Sequence, residues 1–248
     1  MSRGRNPDLR RGWTTGACAA AASRAAFAAL LSGRFPDPVS IRLPREGVAR
    51  FALALAERGV GSARAGILKD AGDDPDITHG ALIIAKVAPA SPGTGVGFAA
   101  GEGVGRVTRP GLALAVGEPA INAGPRAMIR VALADEAAEQ GVLAPDVTVT
   151  ISIPGGERLA EKTMNARLGI IGGLSILGTT GIVVPYSCSS WIHSIQRGID
   201  VARAAGLDHI AAATGATSEQ AVQRLYGLPD HALIDMGDFV GGTLKYLR

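Results

Sequence analysis

The chain has 248 residues and a mass of 25.2 kDa, with 47% hydrophobic and 19% charged residues, so it can bury a sizeable core and is not an intrinsically disordered polymer. Aromatics are only 4%, which makes the expected core aliphatic and leaves little base-stacking surface for nucleic acid, while 34 Gly and 14 Pro exclude a simple helical bundle. The net charge of +3 hides a basic front: residues 1–64 hold 11 Lys and Arg against 4 Asp and Glu.

Taken in chain order, Thr14 or Thr15 is a start signal and Gly33 a stop signal for a helix over 16–32, with Cys18, Ala21, Ala22, Ala25 and Ala29 on one small-residue face. Arg10 and Arg11 before this apolar stretch imitate an export signal, but Ser23 and Arg24 interrupt it, so an ordinary soluble helix is expected. Strands follow at 39–43, 50–55, 63–68 and 81–87, bounded by Pro44, Gly59, Gly80 and Pro89. Pro125 suits a first helical position and Gly141 a stop, which predicts a helix over 125–140. A strand at 147–153 then ends in the Pro154-Gly155-Gly156 turn.

Between Arg167 and Arg197 no residue is formally charged, yet Gly169, Gly172, Gly173, Gly178, Gly181 and Pro185 would break a lipid-exposed helix. A buried, glycine-punctuated loop system is expected there instead. After Pro185 the pattern alternates: helix 190–205, strand 209–213, helix 218–226, strand 232–236 and a last helix. The fold class read from this order is an α+β N-terminal domain, 1–185, followed by a short α/β Rossmann-like domain, 186–248.

Two cysteines, Cys18 and Cys188, give no disulfide framework and no zinc spacing, and place the chain in a reducing, cytoplasmic setting. Cys18 reads as a small core hydrophobe rather than a nucleophile. The run Gly101-Glu102-Gly103-Val104-Gly105 looks like a nucleotide loop, but Arg109-Pro110-Gly111 follows where a phosphate-binding helix would have to begin, so it reads as a glycine turn. Thr214-Gly215-Ala216-Thr217-Ser218 does sit between a predicted strand and helix, with Thr217 or Ser218 able to cap. Asp235 ends the next strand about 20 residues on, the spacing at which a carboxylate reaches a ribose hydroxyl. Gly215, Thr217 and Asp235 are therefore the cofactor candidates.

Lys69 to His79 concentrates Asp70, Asp73, Asp74 and Asp76 between two strands, with Lys69 and His79 as the nearest partners. Such a cluster serves as a solvated turn, a metal site, a proton-handling set or a seat for a cation. No dedicated metal is assigned, because no further acidic ligand set stands out.

Five segments stand in order: Gly12-Trp13-Thr14-Thr15-Gly16-Ala17-Cys18, the acidic loop, Gly101-Glu102-Gly103-Val104-Gly105, Val116-Gly117-Glu118-Pro119-Ala120-Ile121-Asn122, and Leu168-Gly169-Ile170-Ile171-Gly172-Gly173 through Gly178-Thr179-Thr180-Gly181. This series resembles the cobalt-precorrin-5B C1-methyltransferase (CbiD) family of cobalamin biosynthesis. The resemblance implies methyl transfer from S-adenosylmethionine to C1 of a polycarboxylated tetrapyrrole in the oxygen-independent route to vitamin B12, with cobalt present only as part of the substrate. It implies a two-part architecture, a cytoplasmic enzyme without membrane or nucleic-acid partners, and other enzymes of the corrin route as neighbours.

On the matching positions, Asp70, Asp73, Asp74 and His79 become the catalytic candidates. Thr14, Thr15, Lys69, Glu102, Arg106, Glu118, Asn122, Arg126, Thr179 and Thr180 become the substrate-binding candidates. Arg106, Arg109, Arg126, Arg130 and Arg167 lie in or beside the motifs and suit bidentate binding of peripheral carboxylates. Ser187-Cys188-Ser189-Ser190 stands where family members often carry acidic residues, and members continue past the position of Arg248, so a truncated second domain is expected. The alternative reading is a noncatalytic tetrapyrrole-binding protein whose shortened second domain does not hold the methyl donor.

Overall fold

The computed structural model describes residues 9–45, 47–142 and 145–248 and has a mixed α/β architecture. β1 (Gly12–Trp13) leads into α1 (Thr15–Ser32). Thr14 is extended and its Oγ1 accepts the Ala17 N–H at 3.2 Å, while Gly33 closes the helix at φ 77°, in the left-handed region that favours glycine. Both boundary signals work as expected. The single small-residue face does not: α1 is buried on every side from Thr15 to Ala29, with Arg24 as the break. Length and composition alone would let α1 cross a membrane, but it packs inside the core.

Next come β2 (Val39–Arg42) and β3 (Val48–Phe51), an antiparallel pair, then β4 (Leu55–Gly59), β5 (Ser62–Leu68), β6 (Leu82–Pro89) and β7 (Val96–Ala100). The strand expected at 50–55 is divided between β3 and β4, because the intervening chain bends away. Leu53 N donates to Asp37 Oδ1 at 3.1 Å and Ala54 N to Gly66 O at 2.8 Å. Short β8 (Arg106–Val107) precedes α2 (Ala123–Glu139), β9 (Val147–Ser152), one-turn α3 (Gly156–Ala160), β10 (Ile170–Ile171) and β11 (Ile182–Val183).

The main sheet has five strands in the order β4-β5-β6-β9-β7, antiparallel except for β7 beside β9. Its buried positions alternate as a one-faced sheet requires: Ala63, Ala65 and Ile67 on β5 pair with Val87, Ala85 and Ile83 on β6. Alanine methyls on the sheet meet alanine methyls on α1, and α2 covers the other side of that helix. Arg24 emerges between the layers and is held by Glu136 at 2.9 Å, Glu139 at 2.5 Å and Ser40 O at 2.9 Å.

The uncharged stretch 168–196 is divided as its glycines demand, into β10, turns, β11 and the opening turns of α4 (Cys188–Ala204). After α4 come β12 (Ala211–Ala213), α5 (Ala216–Tyr226), β13 (Leu233–Asp235) and α6 (Val240–Leu247). β12 and β13 are parallel and joined through α5, with Ala213 opposite Asp235. Ile195, Ile199 and Ile234 form a second, smaller core under α4. Neither Thr217 nor Ser218 caps α5, because the helix begins earlier, at Ala216; the Ser218 hydroxyl instead donates to Gly215 O at 2.9 Å.

Candidate functional site

The N-terminus of α1 is the meeting point of the motifs. Thr14 N donates to Gly181 O at 3.0 Å and Gly16 N to Leu177 O at 2.8 Å, so the segment around Thr179 and Thr180 lies across the first turn. Only glycine allows this closeness at 178, where a Cβ would stand 2.3 Å from Thr14 Oγ1. Thr180 Oγ1 bonds within its own turn, to Ile182, and Thr15 is buried. The start of α2 lies alongside: Asn122 N donates to Ile176 O at 3.1 Å, and the Asn122 side chain is exposed and makes no capping bond.

The acidic loop docks on the same corner. Trp13 N donates to Asp70 O at 2.7 Å, and Arg11 bridges Gly72. Each carboxylate of the loop has a different partner. Asp70 takes both ends of the Arg10 guanidinium, Asp73 accepts Arg10 N at 2.6 Å, and Asp74 accepts Tyr186 N at 2.9 Å. Asp76 takes the Lys69 ammonium together with Thr78 N and Thr78 Oγ1, at 2.8 and 2.6 Å. Lys69 is only 2% exposed, and its Nζ also donates to Thr78 Oγ1 at 2.6 Å.

The electrostatics follow from these contacts. The Arg10 hydrogen bond, helped by Gly72 N–H, holds the Asp70 carboxyl down at about 2. At Asp76, burial alone would push the pKa up, but Lys69 and Thr78 outweigh it and the net direction is downward. Among the described residues no three His, Cys, Asp or Glu side chains converge as a metal site. His79 Nδ1 accepts Ala71 N–H at 3.1 Å and lies 3.8 Å from Asp70 Oδ1, which leaves the imidazole proton on Nε2. The ring is exposed.

A second set of motif residues adjoins this corner through α2. Arg126 Nε donates to Ile121 O at 2.7 Å and its Nη2 to Pro119 O at 3.2 Å, and Glu118 lies 3.4 Å away. Arg106 Nη1 donates to Gly117 O at 3.3 Å and is otherwise exposed. The glycine run is a turn from β7 towards β8, as expected, with Glu102 pointing outward and Gly103 pressed against Ile153 O, where a Cβ would be 1.9 Å away. Sequence reading missed Arg10 and Tyr186, whose partners lie 60 and 112 residues away, so no local pattern marks them. Cys18 is buried and desolvation pushes its thiol up to about 12, in keeping with a core role.

Gly215, Thr217 and Asp235 lie apart from that corner, at the C-terminal ends of the parallel strands. Beside Asp235 is a cavity of about 150 Å³ lined also by Arg167, Leu168, Trp191 and His231. Asp235 lines it; Gly215 and Thr217 do not. Arg167 joins this region to the front of the chain through a two-pronged ion pair with Glu219, 2.8 Å at each prong.

Residues 2–185 match the family model described as CbiD, carrying every motif of the front corner. The chain belongs to the CbiD family. It is 64% identical over 241 residues to a cobalt-precorrin-5B C(1)-methyltransferase of Brucella anthropi, covering 97% of this chain and 65% of that protein. It is 65% identical over 241 residues to the protein of that name from Halorhodospira halophila (97% and 64%), and 66% over 243 residues to that of Bradyrhizobium sp. strain BTAi1 (98% and 64%). The chain thus spans a little under two thirds of the length of these relatives. Its fold is similar to the crystal structure of the cobalamin biosynthesis protein cbiD from Archaeoglobus fulgidus, with TM-score 0.55 and 29% identity over 96% of this chain and 74% of that one.

Proposed function

We propose that this CbiD chain is an S-adenosylmethionine-dependent methyltransferase that methylates C1 of cobalt-precorrin-5B in the cytoplasm. The observation that carries the reading is the assembly of separate motif segments at the N-termini of α1 and α2, in a chain so similar to relatives bearing that activity's name. The substrate's cobalt is cargo, and its peripheral carboxylates suit the arginines beside the motifs.

Residues 1–185 would form the corrin domain and 186–248 a Rossmann-like unit for the methyl donor. The βαβ arrangement of β12, α5 and β13 supports this, with Asp235 at the strand end where ribose hydroxyls find a carboxylate. The residues present suit that ligand. The space beside Gly215 is open, with nothing within 4 Å of where a Cβ would stand, and the Asp235 cavity offers an indole and apolar walls.

Held by Gly215, Thr217 and Asp235, S-adenosylmethionine would supply an electrophilic methyl group with its sulfur as the leaving group that keeps the bonding electron pair. The protein's part is alignment and exclusion of water. Thr14, Thr15, Lys69, Glu102, Arg106, Glu118, Asn122, Arg126, Thr179 and Thr180 would line or support the macrocycle. In this reading Lys69 acts from beneath, by fixing Asp76, since its own ammonium is buried and paired. Proton handling would fall to the exposed His79, with Asp70, ionised and paired with Arg10, beside it to orient the ring; Asp73 and Asp74 would hold the loop.

The test is incubation of the purified chain with cobalt-precorrin-5B and S-adenosylmethionine, followed by mass spectrometry. A mass gain of one methyl group is expected. A noncatalytic tetrapyrrole binder is the second reading, on the observation that the parallel sheet has two strands among the described residues. It predicts corrin binding with no methylated product.

A further inference from the structure

Phe98 on β7 is half-buried and carries two guanidinium groups, Arg126 with its Cζ 5.4 Å from the ring centroid and Arg130 with its Cζ 4.9 Å away. The two arginines are four residues apart on α2 and so share a face of the helix. Their surroundings differ. Arg126 is tied to Ile121 O and Pro119 O with Glu118 close by, whereas Arg130 is exposed and rests on the ring without an ion-pair partner among the described residues. Bringing two like charges to one ring is unfavourable unless an anion joins them, and a single Glu118 at 3.4 Å from Arg126 leaves the Arg130 charge uncompensated.

We infer that Phe98, Arg126 and Arg130 form a carboxylate receptor for one peripheral acid arm of the tetrapyrrole, with Arg130 as the group that meets the ligand. The inference rests on the corrin-binding reading above and adds to it a place and a role. Stacking on Phe98 limits the orientations open to the Arg130 fork, so less side-chain freedom is lost when a carboxylate binds. Arg126 holds the platform and adds positive potential. Because Arg126 also anchors the Glu118-Pro119-Ala120-Ile121 turn, the receptor is rigidly joined to the motif corner at the start of α2.

The experiment uses the full chain and cobyrinic acid, a cobalt corrin bearing free carboxylates, with binding followed by its visible absorbance. Arg130 is exposed, so R130M should keep the thermal midpoint of the parent. Loss of one charge-assisted pair is expected to weaken binding about tenfold or more. R130K should restore part of the loss, and F98L should weaken binding even though no charge is removed. A parent-like affinity of R130M for cobyrinic acid overturns the receptor and leaves the corrin reading standing. No binding of cobyrinic acid by the parent chain overturns both.

Discussion

Arg167 and Glu219 join front and back of the molecule: both guanidinium ends meet both carboxylate oxygens at 2.8 Å, and the Glu219 side chain is only 6% exposed. Removing the arginine would strand a nearly buried carboxylate in the first turn of α5. Arg167→Met should therefore cost about 2–3 kcal/mol, below the full penalty for a buried pair because Arg167 is partly solvated. Urea unfolding measures the loss, and hydrogen exchange should locate the loosening in α5; unchanged exchange there would contradict the tie.

The acidic loop sets an acid limit on stability. Asp76 and Asp70 have folded-state pKa values below their ordinary ones, so their stabilisation is complete above about pH 4 and fades as pH falls through the lowered values, about 2 for Asp70. The urea midpoint should be flat from pH 7 to 5 and drop between pH 4 and 2. Asp76→Asn should lower the midpoint at neutral pH and shallow that drop, and a drop as steep as the parent's would show that Asp76 is not responsible.

Two glycines with similar φ should respond very differently. Gly103 (φ 71°) would place a Cβ 1.9 Å from Ile153 O, whereas Gly117 (φ 91°) has nothing within 4 Å. Gly117→Ala pays only the backbone strain, about 1 kcal/mol, while Gly103→Ala must push strands apart and should leave little folded protein. Circular dichroism melts of the pair decide this.

Gly215 offers a substitution that spares the fold. Its φ of 162° is extended backbone open to any residue, and a Cβ there meets nothing within 4 Å. Gly215→Val should melt like the parent yet bind S-adenosylmethionine at least about tenfold more weakly, as should Asp235→Ala. Calorimetric titration gives the answer, and parental affinity in both variants would remove the methyl donor from this end of the sheet.

The two thiols should separate cleanly. Cys188 is exposed and Cys18 is buried with its thiol raised to about 12, so iodoacetamide at pH 8 should label one site in folded protein and two in denaturant. Labelling of Cys18 without unfolding would mean that α1 opens readily.

Local chemistry made much of the fold legible. Thr14 and Gly33 mark α1, alternation marks β5, β6 and β9, and the turn at Gly215 with Asp235 downstream marks the parallel pair. What the order of residues hides is partnership across distance. The four carboxylates look like one cluster in the chain, yet Arg10, Lys69 and Tyr186 draw them to separate tasks. The all-round burial of α1 was equally hidden, because alanine is indifferent to its surroundings and only the layers on either side decide.

That alanine rod has a mechanical consequence. With no long side chains to rotate out of the way, sheet and helix ride almost backbone against backbone, and a single added methyl at Ala21 or Ala25 would act as a wedge between the layers. Sequence change is thereby channelled towards the loops around it, and the axle beneath them is left almost no room to drift.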